Sequence, residues 1–404
     1  MSISAKAHHQ SCSASQNALA DSNGQGCIYL IAPTSAGSLG DQALCQGLVD
    51  VLGERLGETK LVEVLIKRRH NPQVLRSGSL PTFNLNSGSP FSLLRLRGRL
   101  KRASAVIIVG ADTLDGSYSI KKNLIWLKLA DLAASFGVPT SIVSFSFSQN
   151  PAPRVVERLR RLNPRIQFYS RDPVSKDRFE AFTTKDCALS ADLAFLMKPS
   201  AQLSTTVSSW VAAKRSAQSL IVGLNVNPLG MRHHKEQMVE SYRQALTDFL
   251  DNDPKRAILM IPHDFREGQS DQEIMLEIKK ALPIRLYDRV LLAEGPFNAW
   301  DAKKIVSVVD FLITGRMHLA IAAMGQGVPA FGLAYKDKFE GLMQHFSLRD
   351  NLLPREKTLL PDTLLGFLMC ALNQHAYVRA RISSRLPEIK KKSLANLDNL
   401  VNCP

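Results

Sequence analysis

The chain is poor in the features that mark a disulfide-stapled, metal-bound or membrane-spanning protein. Its 404 residues hold six cysteines: Cys12, Cys27, Cys45, Cys187, Cys370 and Cys403. None forms a CxxC pair, and the nearest histidines do not stand at metal-ligand spacing. A zinc site or a disulfide framework is therefore not expected. No apolar run approaches the roughly 20 residues a spanning helix needs. The most hydrophobic stretch, 123–138, is interrupted by Lys128 and Asp131. Aromatic residues are only 7%, and no nucleic-acid-binding signature accompanies the basic charge, so nucleic acid is not an expected partner. Residues 1–26 are rich in Ser, Ala and Asn and lack a signal-peptide core. A disordered leader and a cytoplasmic location are expected.

Hydrophobic residues make up 45%, enough for two or three domains with substantial cores. The net charge of +15 is clustered. Arg95, Arg97, Arg99, Lys101 and Arg102 form one group; Arg154, Arg158, Arg160, Arg161 and Arg165 form another; Lys390, Lys391 and Lys392 mark a basic tail. An anionic membrane surface or acidic substrates would suit this excess. The stretch RVVERLRRL reads as a basic helix with apolar residues on one side. That fits peripheral contact at the inner membrane face, and equally a solvated helix.

Strand and helix signals alternate along the chain. Apolar runs at 27–33, 61–66, 105–110, 138–147 and 166–172 read as strands, with helices at 42–56 and 122–136. Residues 71–90, rich in Ser, Gly and Pro, read as a loop. The polar stretch 200–218 reads as a linker that could be partly helical. The scheme then repeats, with strands at 220–228, 257–264 and 289–295 and helices at 236–250, 271–282 and 299–308. The expected class is α/β: two Rossmann-like, doubly wound domains facing a cleft, followed by C-terminal helices. The expected bounds are 1–26 leader, 27–199 first domain on the acceptor side, 200–218 linker, 219–360 second domain on the donor side, and 361–404 basic helical segment.

The segment 310–333 carries the strongest functional signal. An apolar strand ends at Thr314-Gly315, and Arg316 and His318 follow at the start of a small-residue helix. Open parallel sheets bind ligands at such edges, and helix N-terminal amides favour anions there. Arg316 and His318 can converge only if Arg316 still lies in the turn. His263 marks another strand edge; alone it reads as structural. Arg171 ends a strand, and Asp172-Pro173 reads as a helix cap with a first-turn proline. Its planar fork suits phosphate or carboxylate, although pairing with a nearby carboxylate fits as well. Gly37, Gly40 and Asp41 form a glycine-rich βα turn that is neither a Walker loop nor a GxGxxG fingerprint. It reads as a tight capped turn or as an anion site. The loop Gly110-Ala111-Asp112, through Gly116, is open in the same way.

At these residues the chain resembles the polysaccharide pyruvyl transferase family, from about 28 to 346. The resemblance rests on Gly37, Gly40, Asp41 and Ala43; Gly110; Arg171 and Asp172; Ala191, Asp192, Ala194 and Phe195; His263 with Asp271; Arg316, His318, Ala322, Gly327 and Pro329; and Tyr335 with Lys338. It implies a GT-B-like fold. It also implies transfer of the enolpyruvyl unit of phosphoenolpyruvate onto hydroxyls of a cell-surface or lipid-linked glycan, closing a pyruvate ketal. Arg171 and Arg316 would hold the donor, His318 would be the general acid/base, and no cofactor or metal is required. His263, Lys338 and the Gly37–Asp41 turn are further substrate-binding candidates. One departure stands out: Ala111-Asp112 replaces part of the family's glycine triplet. The alternative is a nucleotide-sugar glycosyltransferase of similar fold, with Glu294 as its ribose partner.

Overall fold

The computed structural model describes residues 26–33, 37–56, 60–65, 74–86, 89–229, 231–334 and 338–401. Nearly all of the expected leader lies outside these, as does Tyr335.

The first half runs β1 (Cys27–Ile31), α1 (Leu39–Leu56), β2 (Lys60–Leu65), β3 (Thr82–Asn84), α2 (Pro90–Leu100) and β4 (Ala105–Ala111). It continues through α3 (Ile120–Ser135), β5 (Thr140–Phe145), α4 (Pro153–Arg160), β6 (Gln167–Ser170), α5 (Pro173–Thr183) and β7 (Ala188–Leu189). Helix α6 (Thr205–Ser216) leads into the second half. There follow β8 (Leu220–Asn225), α7 (Lys235–Asp251), β9 (Arg256–Met260), α8 (Asp271–Ala281), β10 (Val290–Leu292), α9 (Ala299–Val306) and β11 (Phe311–Thr314). The chain ends with α10 (Met317–Met324), β12 (Ala330–Ala334), α11 (Lys338–Phe346), β13 (Leu352–Pro354), α12 (Pro361–Leu394) and α13 (Asp398–Val401).

Both sheets are parallel and doubly wound. The first has the order β3-β2-β1-β4-β5-β6-β7 and the second β10-β9-β8-β11-β12-β13. Each therefore reverses direction between its first strand and the strand fourth in order, β1/β4 and β8/β11. A parallel sheet covered on both faces needs strands apolar on both sides. Strand β4 is buried at all 7 residues. Its Val106 and Ile108 join Tyr29, Trp126 and Phe145 on one face, and Ile107 and Val109 join Leu30, Leu44 and Leu48 on the other. The core of the second half extends across to Leu39, Ala43, Ala194 and Phe195 of the first.

Helix α12 is 34 residues long. It packs along α7 and then returns the chain to the first half. There Ser393 Oγ donates to the Asp192 carbonyl at 2.7 Å, and Asn396 Oδ1 accepts from the Ser144 amide at 2.9 Å.

Two readings of the sequence are corrected by packing. The stretch 71–90 is more than a loop: it contains edge strand β3, paired with β2, and ends at the start of α2. The apolar side of α4 does not face outward. Val155, Val156 and Leu159 are buried in the first core, while Arg158 pairs with Asp131 and Arg161 with Glu157. Burying three such side chains is worth several kcal/mol, at about 1.5–3 kcal/mol each. That face is already occupied and is not free to enter a bilayer.

Candidate active site

Both switch points open onto one crevice, the place where doubly wound sheets take ligands. A cavity of about 340 Å³ lies there, lined from the first half by Gly40, Asp41, Asp112 and Lys122 and from the second by His263, Arg266, Arg316 and His318, among others.

The turn after β11 is fixed by its own hydroxyl. Thr314 Oγ1 accepts from the Arg316 amide at 2.9 Å and donates to Asn225 Oδ1 at 3.1 Å. Arg316 stays extended, with φ −113° and ψ 113°, as the cap residue of α10. It therefore remains in the turn, and His318 follows in the first helical turn. Arg316 meets two carboxylates: Nη2 reaches Asp271 at 2.7 Å and Nη1 reaches Asp264 at 3.0 Å. Asp271 also accepts from Asn225 Nδ2 at 2.9 Å and from the His263 amide at 3.0 Å. Burial pushes the Asp271 carboxyl up, against the pull of Arg316. Burial, aided by His318 and Arg316, pushes the His263 imidazole well below its ordinary value. Such an imidazole is held neutral.

The His318 ring rests on helix α1 of the opposite half. A Cβ on Gly40 would lie 2.4 Å from its Nδ1, so only glycine fits beneath the imidazole. On the other side, His318 Nε2 stands 3.6 Å from Asp192 Oδ2. Burial opposes ionisation of Asp192, yet His318 and Arg171 hold its carboxyl below the usual value. The glycine turn thus serves as an interdomain contact: Gly37 accepts from the Phe265 amide at 2.9 Å, and Ser38 bridges to Asp264. Asp41 lines the cavity in the first turn of α1.

Arg171 stands elsewhere. Its side chain is 2% exposed and is turned into the interior, with Nη1 3.1 Å from Asp192 and Nε 2.8 Å from Ser146. It borders a separate void of about 10 Å³ and does not line the cavity that holds Arg316 and His318. His345 Nε2 donates to its carbonyl at 2.9 Å. The two arginines therefore do not line the same cavity: Arg171 sits behind Asp192 and Ser146.

Lys338, at the start of α11, pairs with Asp112 and lies 3.1 Å from the Tyr118 hydroxyl. Burial alone would raise the Asp112 carboxyl; Lys338 and Arg171 outweigh it and hold it far below its usual range. The negative residue in the glycine-rich loop is thus neutralised across the cleft. These three residues also border a second cavity of about 380 Å³, whose wall includes Ser117, Ser146, Ser148, Gln149, Asn150 and Arg178. Sequence reading gave no role to Asp192 beyond the resemblance and none to Arg266 or Lys122. Asp192 had one signal, its position in the A-D-x-A-F stretch.

The architecture has solved relatives. A UDP-GlcNAc 2-epimerase from Neisseria meningitidis, bound to UDP-GlcNAc, is 11% identical, with TM-score 0.55 over 93% of this chain and 99% of its own. The UDP complex of S. aureus MnaA is 13% identical, with TM-score 0.55 over 89% and 91%. A UDP-glucose:anthocyanidin 3-O-glucosyltransferase in complex with UDP is 12% identical, with TM-score 0.56 over 95% and 99%. Identities this low speak for the fold alone, which is GT-B-like. A comparison with curated proteins gives no match. The model of one family, polysaccharide pyruvyl transferase, matches residues 39–337. Those residues hold Gly40, Asp192, Arg316 and His318 and cover most of the chain, which belongs to the polysaccharide pyruvyl transferase family.

Proposed function

We propose that the protein transfers the enolpyruvyl group of phosphoenolpyruvate onto hydroxyls of a polysaccharide or lipid-linked glycan and closes a pyruvate ketal. The observation that carries this reading is the His318 imidazole, seated on Gly40 and faced by Asp192 within a cavity lined by Lys122, Arg266, Arg316 and Lys338. Phosphoenolpyruvate carries a phosphate and a carboxylate, and cationic forks and ammonium groups suit both. Arg266 and Arg316 share Asp264, and Lys338 is paired with Asp112. The donor would compete with these carboxylates for their cations.

Protonation of the donor methylene makes C2 electrophilic. A sugar hydroxyl then adds at C2 as its proton passes to a base. Phosphate leaves C2, and a second hydroxyl closes the ketal. Histidine titrates in the range that allows it to accept and return such protons. In this reading Asp192 faces the His318 ring and keeps it oriented. Arg171 is a positioning residue behind Asp192. The second cavity, rich in hydroxyl and amide groups, would take the acceptor sugar, with Lys338, Asp112 and Tyr118 between donor and acceptor. The nucleotide-sugar alternative depends on Glu294, which is exposed and does not line either cavity.

Thermal shift and phosphate release test the proposal together. Phosphoenolpyruvate should raise the melting temperature of the wild-type chain, and Arg316→Ala should abolish that rise. With a glycan acceptor, His318→Ala should cut phosphate release by about 100-fold or more while the fold persists. Stabilisation by UDP-GlcNAc and none by phosphoenolpyruvate would overturn the reading.

A further inference from the structure

Helix α2 carries apolar side chains on two opposite sides. Successive residues turn by about 100° around a helix. Leu96 and Leu100 share one side and are each 1% exposed, as a packed surface helix requires. Phe91 and Leu94 lie roughly opposite and are 77% and 64% exposed. Leu93, nearer the edge of the packed side, is 43% exposed. Among the described residues, neither Phe91 nor Leu94 is buried by the rest of the chain.

The surrounding charge has one sign. From Ser89 to Ser104 the sequence holds five lysines and arginines and no acidic residue. Arg95 and Lys101 flank the outward side of α2, with Arg97 and Arg102 also exposed. Arg97 and Arg99 lie over the rings of Phe136 and Phe83, which holds their stems against the protein. An apolar ridge bordered by cations is the anatomy of a helix lying in a membrane interface. Anionic headgroups attract such cations over about a Debye length.

We infer that α2 docks the protein on an anionic lipid bilayer, with Phe91 and Leu94 entering the headgroup region and Arg95, Arg97 and Lys101 meeting lipid phosphates. Helix α2 packs on α3, and Ser119, Lys122 and Asn123 at the start of α3 line the cavity that holds His318. Docking through α2 therefore brings the cavity mouth towards the membrane plane, where a lipid-linked acceptor would lie. The docking itself does not depend on the identity of the donor.

Vesicle flotation of the full chain tests this. The protein should float with vesicles of phosphatidylglycerol and phosphatidylcholine and stay behind with phosphatidylcholine alone. The double variant Phe91→Ser with Leu94→Ser should weaken binding about tenfold or more. Arg95→Glu with Lys101→Glu should abolish it. The emission of Phe91→Trp should shift to the blue on addition of the anionic vesicles. Phe91→Ser with Leu94→Ser should leave the melting temperature and the phosphoenolpyruvate response unchanged, which separates this inference from the assignment of the reaction. Failure of the wild-type chain to float, equal flotation of the variants, or an unshifted tryptophan would each overturn it. So would a wild-type dimer in light scattering that the double serine variant dissolves, since the ridge would then belong to a second copy.

Discussion

Arg171 and Arg316 occupy matching places in the two halves: each comes at the end of a parallel strand, just ahead of a helix. Their surroundings differ because of sheet order. Strand β11 lies beside β8, where the winding direction reverses and the loops part. Arg316 therefore opens onto the crevice. Strand β6 is two places beyond β4 in its sheet, and its following loop is covered by α11 and the end of α12. Arg171 is sealed there, 2% exposed at the side chain, while Arg316 keeps 12%. One arginine has become part of the frame that holds Asp192, and the other a wall of the cavity. In this fold a strand-end arginine opens onto the crevice when its strand borders the switch point.

The hardest test of this contrast is Arg171→Ala. Removing one partner of a buried ion pair leaves the other charge uncompensated and costs about 3–5 kcal/mol. Urea unfolding should show a loss of that size, while the remaining folded protein still responds to phosphoenolpyruvate. Arg316→Ala should lose the ligand response. A variant at 171 that unfolds like wild type and fails to bind the donor would reverse the two roles.

Gly40→Ala should come next. Its new methyl would lie 2.4 Å from His318 Nδ1, so the imidazole must move. We expect kcat/KM to fall about 100-fold, the lower end for loss of a general acid/base. Urea unfolding should change by no more than about 1–3 kcal/mol, the usual range for overpacking. Asp192→Asn should give a comparable kinetic loss, because it keeps the shape beside His318 and removes the charge. Full turnover in Gly40→Ala would show that the ring's seat on α1 has no part in the reaction.

The alternation of strands and helices was legible because strands buried on both faces are written as continuous apolar runs, as at 105–109. The strand-end positions of Arg316, His318 and His263 were legible for the same reason. The difference between Arg171 and Arg316 was not, since both follow such a run and only the pairing order of the sheet separates them. Asp192 lies far from both Arg171 and His318 in sequence, and its partners are set by tertiary packing alone. Strand β3 has 3 residues, too few for a period to show. Helix α2 was obscured by its outward Phe91 and Leu94, which blur the one-sided pattern expected of a surface helix.

The strand-end comparison also holds between β4 and β11, which take the same place in their sheets. One presents Asp112 to the cavity and the other Arg316. Asp112→Asn should remove the pairing with Lys338 across the cleft. Their side chains keep 27% and 18% of their exposure, so solvent limits the loss to about 1 kcal/mol at neutral pH. The folded Asp112 carboxyl titrates below its unfolded value of 3.8. As pH falls, the unfolded chain therefore takes up the proton first. The stabilisation is whole above that value and is lost as pH drops through the lower folded one. The gap in unfolding free energy between wild type and Asp112→Asn should close in that acid window. A gap that persists there would mean that the charge of Asp112 is not what joins the two halves.

The smallest effect concerns the residue before it. After β11 the chain turns through Gly315, whereas β4 itself ends on Ala111, at φ 48°. A side chain in that left-handed region costs about 1 kcal/mol or more. Ala111→Gly removes that cost but gives the unfolded chain more freedom, worth about 0.5–1 kcal/mol in the opposite sense. The net change should be a gain of under about 1 kcal/mol in urea unfolding, with the pairing of Asp112 and Lys338 retained. A clear loss of stability would mean that the Ala111 methyl, 1% exposed and packed with Val109 and Val143 on one face of the sheet, contributes more than its backbone angle costs.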